Sequence, residues 1–105
     1  MEKERKYEVI VTVVKRGHSD VVIQATREAG AKGGTILMGR GTSIHDSGSV
    51  LGVTLQPERE IILIVVDSAQ KKHMMEIIYE KMSLDKQDSG ICFSLPINSV
   101  VGLAK

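Results

Sequence analysis

The sequence is poor in aromatic residues and has no marked excess of charge of either sign. Its 105 residues include two tyrosines, one phenylalanine and no tryptophan. Because RNA-binding sheets of small domains stack bases on strand aromatics, this scarcity argues against a nucleic-acid-binding sheet. The formal net charge of +1 likewise predicts no general attraction to nucleic acid or to an anionic membrane.

The sequence also has few cysteines and no long apolar run. Its one cysteine, Cys92, excludes an internal disulfide, which fits a reducing compartment. The first apolar run, residues 9–14, is too short for a signal peptide, and no run approaches the roughly 20 apolar residues that span a bilayer. We therefore expect a cytoplasmic protein with one domain, residues 1–105, and no direct membrane insertion.

No combination of side chains indicates catalysis or metal binding. His18, His45 and His73 are far apart, and none has a metal-ligand residue at helical i+4 spacing. Cys92 lies in a predicted strand, where a buried and unreactive thiol is the simpler interpretation. We predict no catalytic residue and no metal site, and a small acyl- or phosphoryl-transfer enzyme is the least favoured class.

Apolar patterning predicts an α+β domain. β-Branched runs indicate buried strands, and apolar stripes at helical spacing indicate helices. The predicted order is strand, helix, strand, strand, helix, strand, which is the ferredoxin-like βαββαβ sandwich. The predicted strands cover residues 7–14, 35–40, 60–66 and 91–95, the last ended by Pro96.

Both predicted helices have recognisable ends. Ser19 is expected to cap the first helix and Gly30 to end it in a left-handed conformation, and Asp67 or Ser68 is expected to cap the second. The apolar stripes comprise Val21, Val22, Ala25 and Ala29 in the first helix, and Met74, Ile77, Ile78 and Met82 in the second.

The strands are apolar at nearly every position, which indicates that both faces of the sheet are buried. Two helices on one face leave the other face uncovered. A second copy of the chain is the simplest cover, so we expect a homo-oligomer.

A long connection joins the second and third strands. Residues 42–57 form a loop of about sixteen residues, whereas a hairpin needs only two to five. We interpret it as an effector loop, with polar positions at Ser43, His45, Ser47 and Ser49. Residues 50–55 are more apolar. They either insert into a partner or extend the third strand, and both interpretations remain open.

Two glycine-bearing turns are candidates for binding an anion. Gly39-Arg40-Gly41-Thr42 leaves a strand with accessible backbone N–H groups, and a second polar turn runs from Lys86 through Ser89 to Gly90. The two turns can converge across a subunit boundary. The competing interpretation of each is an ordinary turn or bulge.

Several segments together resemble the PII signal-transduction superfamily, the nitrogen-regulatory PII proteins and their PII-like relatives. The resemblance covers about residues 7–101. It includes the helix end Glu28-Ala29-Gly30, then Gly33-Gly34-Thr35, Gly39-Arg40-Gly41 and the strand at 61–67. It ends with Gly90-Ile91-Cys92-Phe93-Ser94-Leu95-Pro96, which is similar to the family's Gly-Lys-Ile-Phe-Val-Leu-Pro.

The resemblance implies a homotrimer with adenine nucleotides in clefts between subunits. It implies that residues 42–57 form the T-loop, which docks on a protein target such as a membrane transporter, and that residues 84–90 occupy the B-loop position. By position, the resemblance places Thr35, Gly39, Arg40, Gly41 and Thr42 along one side of the cleft. It places Lys86, Ser89 and Gly90 in the turn that faces the phosphates.

The chain departs from the family pattern in its B-loop. Asp85 and Asp88 replace glycines, and Ile91 replaces the phosphate-binding lysine. The family's C-terminal arginines are missing. AMP, ADP, a cyclic nucleotide or another small anion therefore fits better than ATP with magnesium or 2-oxoglutarate. The alternative function is a metal-ion-binding or stress-response trimer similar to the CutA-type relatives.

Overall fold

A computed structural model describes residues 6–41, 49–50, 53–54, 58–86 and 89–103. The strands are β1 (Tyr7–Lys15), β2 (Thr35–Arg40), β3 (Ser49–Val50), β4 (Val53–Thr54), β5 (Glu58–Asp67) and β6 (Ile91–Ile97). The helices are α1 (Ser19–Glu28) and α2 (Lys71–Met82), and a short 3₁₀ turn, Ser68–Gln70, precedes α2.

Four strands form an antiparallel sheet in the order β2-β5-β1-β6. This order, with α1 and α2 as the crossovers, confirms the predicted ferredoxin-like fold. The prediction that Pro96 ends the last strand is wrong, because β6 continues to Ile97 and Pro96 lies opposite Glu8. Proline is tolerated there because β6 is an edge strand, so its missing N–H breaks no ladder on the outer side.

One face of the sheet packs against the helices and forms the core. Alternation along β1 and β5 directs Ile10, Ile62 and Ile64 to that face, where each is fully buried. Met74 and Ile78 of α2 are also fully buried in the same cluster, as their predicted stripe requires. Burying each such side chain contributes about 1.5–3 kcal/mol, so this layer is the main source of stability.

The beginning of α1 differs from the sequence prediction. Ser19 is the first helical residue and makes no side-chain cap; His18 is at the cap position. The Ser19 backbone N–H instead donates to Glu60 Oε1 of β5 at 2.8 Å. A carboxylate from a distant strand thus satisfies one free N–H of the first turn and complements the positive end of the helix dipole. Sequence reasoning missed this cap because its partner is 41 residues away.

The end of α1 confirms the predicted glycine stop. Gly30 has a φ of +109°, its N–H donates to the Arg27 carbonyl, and the Ala31 N–H donates to the Thr26 carbonyl at 2.9 Å. This pair of bonds is the Schellman pattern. The predicted apolar stripe is wrong at Val21, which is 43% exposed.

The second helix is entered through the 3₁₀ turn. The Asp67 carboxylate accepts a hydrogen bond from the Ala69 N–H at 3.0 Å, so Asp67 caps that turn, and α2 itself begins at Lys71. Ser83 ends α2 in the left-handed conformation, with φ 52° and ψ 51°.

The opposite face of the sheet is apolar, and neither of the two described helices covers it. Phe93 is 40% exposed and Leu95 is 51% exposed, and the same face carries Leu37, Val65 and Ile91, all exposed. We call this surface the open face. The described residues therefore do not bury both faces, and the cover of the open face by a second copy stays a prediction.

Residues 42–57 lie mostly outside the described residues, including Thr42, Ser43, His45 and Ser47. The backbone of Ser49 pairs with Thr54 and that of Val50 with Val53, in a two-stranded ladder separate from the main sheet. Residues 51–52 and 55–57 lie outside the described residues, so the alternative that residues 50–55 extend the third strand stays a prediction.

The contact between Glu60 and α1 generates a prediction about acid stability. Hydrogen bonds from the Ser19, Gly17 and His18 region hold the pKa of Glu60 below its ordinary value. A group whose folded pKa is lowered contributes stability above its unfolded pKa and loses it as the pH falls through the folded pKa. We therefore expect Glu60→Gln to flatten the fall in unfolding free energy that the wild type shows when acidified from neutral pH to about pH 3.

Chemical denaturation at a series of pH values measures this effect. Glu76→Gln, at an exposed position of α2, is the matched control and should keep the wild-type pH profile. Identical profiles for the wild type and Glu60→Gln would contradict the proposed cap.

Candidate functional site

The first candidate turn lies at the end of edge strand β2. Thr35 begins the strand opposite Leu63, and Gly39 and Arg40 end it opposite Arg59 and Glu58. Thr35 and Gly39 are therefore about 13 Å apart along the same edge. Thr42 lies outside the described residues.

The second candidate turn precedes the other edge strand, β6. The Lys86 N–H donates to the Ser83 carbonyl at 3.0 Å, and the Ser89 hydroxyl donates to the Lys86 carbonyl at 2.9 Å. Gly90 has a φ of +136°, and a Cβ built on it would lie 2.6 Å from the Val13 carbonyl oxygen. Glycine is required here because any side chain would collide with the backbone of β1.

The two turns lie at the same end of the sheet but at opposite edges. β5 and β1 separate β2 from β6, so three strand spacings, about 14 Å, divide the turns. One small anion cannot contact both turns within one chain. Convergence of Gly39–Gly41 with Lys86–Gly90 across a subunit boundary remains a prediction.

Charged residues that sequence reasoning did not assign lie between the two turns. Glu58 at the start of β5 forms an ion pair with Arg16 at 2.8 Å, and Glu60 accepts from Ser19. Between the two glutamates, Arg59 lies opposite Lys15 of β1. The predicted strand begins only at residue 60, whereas β5 begins at Glu58. An earlier start would have indicated, from the period-two alternation Glu-Arg-Glu, that the acids and the arginine lie on opposite faces.

The cysteine and the described histidines show no feature of a reactive centre. Burial raises the pKa of the Cys92 thiol, and the Thr12 hydroxyl donates to its sulfur at 3.6 Å. His18 is exposed, with Nδ1 3.3 Å from the Lys15 and Arg16 carbonyl oxygens. Among the described residues no group of three or more His, Cys, Asp or Glu side chains is arranged to hold a metal ion. Within that same part of the chain, no helix is long and apolar enough to cross a bilayer.

Comparison with solved structures identifies the fold. The chain is similar to the crystal structure of Arabidopsis thaliana PII bound to citrate, with a TM-score of 0.73 and 20% sequence identity over 95% of this chain and 82% of that chain. The chain has the PII fold. No family model matches the sequence, and no curated protein matches it. At this identity the likeness establishes the PII fold, which the sequence resemblance implied, and leaves ligand and target open.

Position 90 offers a direct test of the second turn. We expect Gly90→Ala to lower the unfolding free energy by about 2 kcal/mol or more, because it combines a left-handed φ with a backbone collision. Gly33→Ala is the control, since a Cβ there meets nothing within 4 Å, and it should change stability by about 0.5 kcal/mol or less. If Gly90→Ala and Gly33→Ala lowered the unfolding free energy in urea by equal amounts, the close approach of Gly90 to the backbone of β1 would be contradicted.

Proposed function

We propose that the protein is a PII-like regulator and not an enzyme. It assembles as a cytoplasmic homotrimer, binds an adenine-nucleotide-type or small anionic effector between subunits, and controls a protein target through residues 42–57. A membrane transporter is the kind of target that the resemblance implies. The proposal combines the PII fold with the arrangement of the two candidate turns.

The observation that carries the proposal is the placement of those turns at one end of the sheet and at opposite edges. If copies assemble around their open faces, the β2 edge of one copy and the β6 edge of the next become neighbours. The turn at Gly39–Gly41 and the turn at Lys86–Gly90 then form two walls of one cleft. Such a site exists only in the assembly, so effector binding and self-association are linked.

The residues of the cleft indicate the class of effector. Backbone N–H groups at Gly39 and Gly41 suit a phosphate or carboxylate, and Lys86 supplies one positive charge. Ile91, at the start of β6, supplies no positive charge. With one lysine only, the cleft suits a mononucleotide or a diphosphate better than the more highly charged triphosphate. The neighbouring PII structure holds citrate, a small carboxylate anion, which supports the wider anionic class.

The open face generates the prediction for self-association. A contiguous exposed apolar surface of this kind is characteristic of an interface. Phe93→Glu should give a monomer in sedimentation equilibrium, because it places a charge where apolar contact is expected. Tyr79→Glu, at an exposed position of α2 on the other side of the molecule, should remain a trimer. A monomeric wild type, or a trimeric Phe93→Glu, would contradict the proposed assembly.

The effector is identified by calorimetric titration of the purified protein with AMP, ADP, ATP, cyclic AMP and citrate, with and without magnesium. We expect about one nucleotide per chain. Lys86→Ala should weaken binding about tenfold, the loss expected for one charge-assisted contact. Gly41→Ala should also weaken it, because a methyl group obstructs approach to the backbone.

Lys72→Ala, at an exposed lysine of α2, controls for loss of charge and should bind as the wild type does. Absence of heat with every nucleotide would contradict the nucleotide proposal. Stabilisation by Cu²⁺ or Zn²⁺ without any nucleotide response would instead favour the CutA-like alternative.

A further inference from the structure

We draw no further inference here: the strongest candidate, the outer edge of β2, where Ile36, Leu37 and Met38 are exposed side by side, borders the cleft already proposed, and nothing in the described part of the structure shows what else covers it.

Discussion

The antiparallel pairing of β1 with β5 is the contact on which the rest of the molecule depends. Its register sets Ile10 beside Ile64 on the helix face, where both are fully buried. The same register assigns every odd-numbered residue of the pair to the open face. A slip of one residue would exchange the two sets and turn Ile62 and Ile64 from the helix face to the open face. The register of this one ladder therefore decides which residues form the core and which form the open face.

The width of the sheet imposes a second constraint. Because β5 and β1 occupy the centre, the two glycine-bearing turns stand at the edges and cannot meet within one chain. A ligand that needs both turns therefore needs a second copy, and the apolar open face supplies a physical reason for copies to associate. Under the proposed function, assembly and ligand binding are linked, so a change on the open face is expected to alter ligand binding at the edge.

Contacts made within a few residues were predictable, whereas contacts between elements were not. The bounds of β2 and the left-handed Gly30 follow from local patterning and were correct. The cap of α1 was misassigned to Ser19, because a local hydroxyl is the usual donor partner and nothing nearby marks Glu60 as its replacement. The sequence also predicts a strand end at Pro96, since only the strand order shows that β6 is an edge strand.

The order of elements, the helix-facing core and the PII resemblance can all be read from the amino-acid sequence, because hydrophobic periodicity and glycine positions are local signals. It also supplied the candidate turns at Gly39–Gly41 and Lys86–Gly90. The strand order and register of the folded chain show that these turns lie at opposite edges and that Lys15 lies opposite Arg59. The register of β1 with β5 pairs residues that are 44 or more positions apart in sequence, and no local pattern encodes such pairing.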